Sequence, residues 1–467
     1  MAERKSDAHS PSPDINETGE DTWLVRLLRR FGAGVTGRAL AGGATGSFLL
    51  KGFSHLAAFL FSILLSRTLG AAGYGAFAYS MSWVYLLMIV AMLGFDRLIV
   101  REIPVLEQNG NWSKLKGLLR FSHRTLIFLS CTIALSAVGI AALLQKLPDQ
   151  GEQGLTGTFY FAMLLLPVYS MLRLRQNILL ARQKFVTAQI GELLILPWGS
   201  LLLMGTIAII SPQTLTPEIA ILGNLVAAGS GLIVLIIQTR KSVPPQLKSA
   251  TPVYSSRAWL VAAFPMLIVS GMQVVNQRVG ILMVGDMLGA EEAGIYAVAN
   301  GGVMFVALIF FAVNQPLAPV IARLFAERKM DRLQNVLVRA ARISLMAAVP
   351  VGLLIIVFAT PFLRLYGEEF PVGRVPMIIM TIGYVITMGF GSVSAALTMT
   401  GFERMAAVGI GVSVVLNIGL NLLLIPRFGM TGAAWALATG QVSSAVLMTI
   451  FTFRFLKINN TATGRTL

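Results

Sequence analysis

The sequence predicts an all-α integral membrane protein with twelve transmembrane helices in two parallel-repeat, six-helix lobes. Three observations carry that expectation: an apolar composition, a polar linker that divides the apolar stretches six and six, and a motif that recurs at a fixed offset. The 467 residues are 55% hydrophobic and 12% charged, with mean hydropathy +0.75. Soluble domains carry about 25% charged residues, so this composition suits lipid. Stretches of the roughly 20 residues that cross a bilayer lie near 45–66, 75–95, 125–145, 159–179, 187–210, 218–237, 258–283, 294–316, 343–363, 375–397, 405–425 and 432–453.

The first 40 residues read as a cytoplasmic arm. MAERKSDAHSPSPDINETGED lacks the apolar run of a signal peptide and has the composition of disorder. In TWLVRLLRRF, Leu24, Leu27, Leu28 and Phe31 recur at i, i+3, i+4, i+7, with Arg26, Arg29 and Arg30 off that stripe. Such a short helix suits an anionic leaflet or plain solvent. Residues 41–238 form an N-lobe of spans 1–6, and 239–257, TRKSVPPQLKSATPVYSSR, a cytoplasmic linker. Residues 258–455 form a C-lobe of spans 7–12, and 456–467 a cytoplasmic tail.

The lobes echo each other. Residues 69–80 read LGAAGYGAFAYS and residues 288–299 read LGAEEAGIYAVA, an offset of 219. Leu69/Leu288, Gly70/Gly289, Ala71/Ala290, Gly75/Gly294 and Ala78/Ala297 are identical, and Arg120 meets Arg339 at the same spacing. Six spans is an even number, so both halves enter the membrane in the same direction, related by an axis along its normal. The glycines fall where span 1 meets span 2 and span 7 meets span 8, where they permit a tight turn.

The formal net charge of +16 reports topology rather than nucleic-acid binding. Basic residues crowd the arm and the loops after even-numbered spans, among them Arg97, Arg101, Lys116, Arg182, Arg240, Lys248, Arg323 and Arg342. The other side holds Arg67, Lys146, Arg364, Arg374 and Arg427 among acids such as Asp149, Asp286, Glu292 and Glu369. The positive-inside rule then places both termini in the cytoplasm. The single cysteine, Cys131, forms no internal disulfide and gives no clue to compartment.

SRTLGAAGYGAFAYSMSWVYLLMIVAMLGFDRLIVREI, with its arginine-leucine-glycine turn, Tyr-Gly and Gly-Phe-Asp step, resembles the N-terminal block of polysaccharide (oligosaccharide) flippases. MVGDMLGAEEAGIYAVANGGVMFVALIFFAVNQPLAPVIARLFAE looks like the matching block of a second lobe. The resemblance, to a family of the multidrug/oligosaccharidyl-lipid/polysaccharide exporter superfamily, covers roughly residues 45–455. It implies a carrier of undecaprenyl-diphosphate-linked oligosaccharide across the bacterial inner membrane for O-antigen, capsule or exopolysaccharide. It also implies membrane lipids and other polysaccharide-assembly membrane proteins as partners, with no cofactor and no nucleic acid.

Such a cargo sets requirements on the chain. A diphosphate and a sugar do not cross about 30 Å of hydrocarbon unaided; the carrier needs cations and amides facing a wet cavity, where intramembrane charge is otherwise costly. Span 7 offers SGMQVVNQRVG, in which Gln273, Asn276 and Gln277 share a face and Arg278 is offset from it. These four are expected to bind substrate, although Arg278 could instead pair with an acid. In span 1, Lys51 either reaches substrate or snorkels to the cytoplasmic edge. His55, one turn deeper, could serve a proton-coupled step or pack. Arg173 and Arg175 sit in the cytoplasmic third of span 4 and point to different sides; Arg175 is expected among the binding residues. Glu192 in span 5 either neutralises one of these arginines or binds a coupling cation. Asn417 and Asn421 share a face of span 11, where interhelical hydrogen bonding is the default.

Other classes fit less well. A cation-coupled multidrug antiporter of the same superfamily is the nearest alternative, but several such proteins use an acid in the first span, where this chain has Lys51 and His55. A lipid-linked peptidoglycan-precursor flippase would usually carry extra C-terminal spans. A major facilitator would show a short Gly/Asp/Arg turn where DRLIVREIPVLEQNGNWSKLKG stands. A membrane-embedded polysaccharide polymerase or ligase would need a sizeable outer loop. No Gly-Lys pair of a P-loop, HExxH or paired-cysteine metal motif occurs, so neither catalysis nor a bound metal is expected.

Overall fold

The computed structural model describes residues 35–144 and 153–464. The amphipathic stretch at 22–31, most of the N-terminal arm and the charges Lys146 and Asp149 lie outside the described residues. Every regular element among the described residues is helical.

Spans 1 and 2 lie in one stretch, Val35–Met92, broken at Gly70 (φ 70°, ψ −177°). Its apolar part, Leu50–Met92, has 43 residues, about 65 Å of helix at 1.5 Å per residue, which is two crossings rather than one. Spans 3 to 6 are Trp112–Leu144, Gly157–Ala181, Phe185–Ile210 and Pro217–Lys241. Spans 7 to 12 are Ser256–Leu288, Ala290–Phe310, Met330–Val357, Phe370–Gly389, Glu403–Phe428 and Met430–Leu456. The chain is thus a multi-pass membrane protein of two six-helix sets.

Two prolines shape the spans that bear the charged site. Pro167 interrupts span 4 by colliding with the carbonyl four residues earlier; the helix Gln153–Met163 stops there and Leu165–Ala181 resumes. Ahead of Pro197, span 5 widens into a π-helical turn, Ile190–Ile195, that carries Glu192. Widened turns of this kind project a side chain out of the regular helical register.

The echoed motifs meet in space. Gly70 and Gly289 (φ 108°, ψ −178°) adopt the same left-handed break, a backbone that L side chains resist. Beyond each break, Ala71-x-x-x-Gly75 crosses Ala290-x-x-x-Gly294, and each glycine abuts the other lobe's alanine carbonyl. Small residues at this spacing let two membrane helices approach to backbone contact. The sequence repeats itself because one surface is used twice, once from each lobe, about the pseudo-twofold axis.

The linker is strapped to the first lobe. Val253 N donates to Ser113 O at 3.0 Å, and Lys116 Nζ donates to the carbonyls of Lys248 and Ala250 at 2.6 and 2.8 Å. Arg182 and Lys184 hold Ser242, and Leu247 is buried against Leu115 and Trp259. The tail repeats the arrangement on the second lobe, where Arg342 donates to the carbonyls of Ala462 and Gly464 at 2.9 and 2.8 Å.

Candidate functional site

At the end of the molecule where the basic loops gather, here called the basic end, Gly94 (φ 78°) stops span 2 and starts the helix Phe95–Gln108. Only glycine fits, because a Cβ would stand 2.3 Å from the Ala263 carbonyl of span 7. Phe95, Leu98, Ile99, Ile103 and Leu106 are buried along one face of that helix. Its other face turns Asp96, Arg97, Val100 and Arg101 toward a cleft.

The cleft consists of two cavities of about 300 and 220 Å³, which share Asp96, Arg97 and Arg173. The larger adds Asn177 from span 4; the smaller lies between the lobes, with Met88 and Met92 on one wall and Leu267, Ser270, Gln273 and Val274 of span 7 on the other. Arg97 Nη2 donates to Gln273 Oε1 at 3.2 Å, joining the lobes. Arg173 pairs with Glu192 Oε1 through Nη1, its side chain still 43% exposed. Arg278 places its guanidinium carbon 4.5 Å from the Tyr85 ring centroid, a cation–π contact between span 7 and span 2. Tyr85 in turn lies 6.1 Å from Tyr169, centroid to centroid.

Of the expected residues, Gln273 lines the cleft, and most of the others fall elsewhere. Gln273 and Gln277 are exposed and Arg278 is half-buried, but Asn276 faces its own lobe. It donates to Ser413 Oγ at 3.0 Å and accepts from Asn417 Nδ2 at 2.8 Å, and Asn417 accepts from Asn421. Arg175 points away from the cleft: its Nη2 lies 2.9 Å from His123 Nε2 of span 3. Residues two positions apart on a helix point about 200° apart, so Arg173 takes the place in the cleft and Arg175 the place inside the lobe. Lys51 is half-buried and His55 exposed, on a helix braced by Phe53 stacked on Trp198 at 4.4 Å.

Sequence reasoning passed over Asp96 and Ser270 and took Arg97 for a mark of topology. The signal was present in the spacing of Phe95, Leu98, Ile99, Ile103 and Leu106, an apolar stripe that sets Asp96, Arg97 and Arg101 on the opposite face.

The opposite end is closed between the lobes. Tyr79 Oη donates to Asp286 Oδ1, Ala71 N donates to Glu369 Oε2 at 2.8 Å and Arg67 Nε to Leu365 O at 2.7 Å. Phe59, Phe305, Phe362, Tyr366 and Phe370 pack into one aromatic cluster beneath these bonds. Burial pushes the Tyr366 phenol up to about 12, so it stays neutral and accepts from Ser62 Oγ. A molecule entering the cleft from the basic end therefore meets a seal at the far end.

Comparisons with known proteins agree with this architecture. The polysaccharide biosynthesis protein family model matches residues 40–325, and the MatE family model matches residues 265–423. The probable low-salt glycan biosynthesis flippase of Haloferax volcanii is 24% identical over 179 residues. That match spans 38% of this chain and 38% of the relative. An inward-facing multidrug resistance MATE family transporter of the MOP superfamily gives a TM-score of 0.69 at 15% identity, over 86% of this chain and 94% of that one. A MOP superfamily transporter from Pyrococcus furiosus, described as having a binding pocket of reverse polarity, gives 0.61 at 14% identity, over 94% and 99%. With one family model covering more than half of its length, the chain belongs to the polysaccharide biosynthesis protein family, and its fold is that of the solved MATE transporters.

Proposed function

We propose that this chain flips a lipid-linked oligosaccharide, undecaprenyl-diphosphate-linked, from the cytoplasmic to the outer leaflet of a bacterial inner membrane. The product serves O-antigen, capsule or exopolysaccharide assembly, and both termini stay in the cytoplasm. The observation that carries the reading is the pair Arg97 and Arg173 in a cleft between lobes, at the basic end of a family member.

The physics follows from the cargo. The prenyl tail stays in lipid while the charged headgroup needs a polar path. Guanidiniums suit a diphosphate because their planar forks donate to two oxygens at once. The lobes then rock about the cleft, which requires the seal at the far end to open. That seal consists of a helix crossing, the aromatic cluster and a few hydrogen bonds, the last worth about 0.5–1.5 kcal/mol net each. Deleting the gene should make a lipid-linked saccharide accumulate on the cytoplasmic leaflet and deplete surface polysaccharide; unchanged levels of both would contradict the reading.

The match of residues 265–423 to the MatE model favours a second reading, a cation-coupled drug antiporter. In it Glu192 would carry the coupling ion, yet Arg173 already engages that carboxylate. Drug sensitivity of the deletion strain with no glycan phenotype would favour it.

A further inference from the structure

We propose that the seam between spans 3 and 7 at the basic end is a binding site for an anionic phospholipid of the surrounding bilayer. Arg120, Arg124 and Arg257 take its phosphate, and the apolar faces of the two spans take its acyl chains. The site lies on the outside of the molecule, apart from the cleft, and stands independently of the flippase reading.

Spans 3 and 7 each present an exposed stripe headed by arginine. On span 3, Arg120, Arg124, Phe128, Cys131 and Leu135 are exposed at i, i+4, i+8, i+11 and i+15, a single helical face. The buried Leu118, Ser122 and Leu126 lie on the opposite side. On span 7, Arg257, Val261, Phe264 and Ile268 are exposed at i, i+4, i+7 and i+11. Trp259 is buried among N-lobe residues, and Arg257, two positions earlier, points about 200° away from it, out of the protein. Phe128 and Val261 keep 73% and 67% of their surface, which suits hydrocarbon and not water. The arginines therefore stand where a lipid-facing surface meets its polar boundary.

The two stripes are neighbours. The Phe121 and Trp259 rings lie 5.7 Å apart, centroid to centroid. The linker crosses span 3 with the Val253 carbonyl against Gly117 just before it enters span 7. Tyr254, 47% exposed, stands at this crossing, and tyrosine favours the headgroup layer. Arg120 and Arg124 are one turn apart, with Cβ atoms about 5–6 Å from each other, close enough to fork onto one phosphate.

Other arginines of the basic end are answered by the protein: Arg97 by Gln273, Arg173 by Glu192, Arg182 by Glu107 and Arg342 by the tail carbonyls. Arg120, Arg124 and Arg257 have no hydrogen-bond or ion-pair partner among the described residues. The partner that fits is an anion at headgroup depth with hydrocarbon attached below it, which a soluble acidic peptide is not. A zwitterionic phospholipid brings an ammonium against three guanidiniums, at Coulombic cost. A phospholipid with an uncharged group on its phosphate brings the anion alone.

Cys131, the only cysteine of the chain, is exposed and reports on this seam. It lies seven residues beyond Arg124 on the same stripe, about 10 Å along the helix, at acyl-chain depth. The full chain is labelled there with a bimane and placed in vesicles of equal parts phosphatidylglycerol and phosphatidylcholine. The acyl chains of one lipid at a time carry bromine, which quenches the bimane on contact. Quenching should show phosphatidylglycerol preferred at least about tenfold, since each arginine near the surface contributes about fivefold toward an anionic lipid. Arg120→Gln/Arg124→Gln/Arg257→Gln should bring the preference close to one. Arg124→Gln alone should lower it about fivefold, which keeps the test if the triple variant inserts poorly. Arg339→Gln, the same loss of charge at the echo of Arg120 in the other lobe, should leave it unchanged. Equal quenching by both lipids in wild type, an unchanged preference in Arg124→Gln or the triple variant, or an equal loss in Arg339→Gln overturns the site.

Discussion

Gly75 and Gly294 lie face to face across the lobe interface: a Cβ on Gly75 would stand 1.7 Å from the Ala290 carbonyl oxygen, and one on Gly294 would stand 2.2 Å from that of Ala71. Neither position tolerates a methyl group without moving two helix backbones. Overpacking of this kind costs about 1–3 kcal/mol, which falls on the state closed at this end alone. Gly294→Ala should therefore shift the population toward the open far end by about tenfold or more. Spin-label distances between the exposed positions 72 and 291 would lengthen; unchanged distances would show the crossing to be incidental.

A second hold on the same end is Tyr79 with Asp286. Tyr79→Phe removes the donor and keeps the ring, so the expected loss is about 1 kcal/mol. Labelling of a cysteine placed at residue 62 by a membrane-impermeant maleimide from the outer side should rise about fivefold. Equal labelling would mean that the aromatic cluster alone sets the seal.

Arg173 and Arg175 make a matched pair for separating transport from stability. Arg173→Ala empties a wall of the cleft and breaks the half-exposed pair with Glu192, so flipping should fall at least about tenfold for a stability loss of only about 0–1 kcal/mol. Arg175→Ala breaks the contact with His123 inside the N-lobe and should lower the melting temperature while flipping per folded molecule persists. A charge-assisted bond of this kind is worth about 1.5–3 kcal/mol. The reverse pattern would return Arg175 to the substrate path.

The linker predicts a protease result. Val253 lies so close to Gly117 that a Cβ there would stand 1.9 Å from its carbonyl oxygen. Gly117→Val should lift residues 248–253 off the N-lobe, and cleavage after Lys248 by trypsin should accelerate about tenfold or more, consistent with 1–3 kcal/mol of overpacking. Equal cleavage would make the linker a free tether.

The fold was legible because its determinants are one-dimensional. Span length, the polar stretch at 239–257 and the recurrence of Gly70 and Gly75 as Gly289 and Gly294 need no knowledge of neighbours. The site was half legible. Gln273, Asn276 and Gln277 share a helical face, but Asn276 and Gln277 are 100° apart on it, wide enough to touch different surroundings. Asn276 therefore packs on span 11 while Gln273 meets Arg97. Arg97 was hidden in plain charge, because a basic residue at a span's end looks the same whether it serves topology or lines a cleft. The apolar stripe from Phe95 to Leu106 and the left-handed Gly94, which folds that helix back against span 7, distinguish them.

Proteoliposomes test the central claim most directly. Loaded with a fluorescent undecaprenyl-diphosphate oligosaccharide in both leaflets, vesicles holding wild-type chain should let an external reductant bleach nearly all of the label. Vesicles holding Arg97→Ala/Arg173→Ala should stop near one half, like protein-free controls. Bleaching that stops near one half with wild type, or proceeds equally with the double variant, would contradict a headgroup path through this cleft.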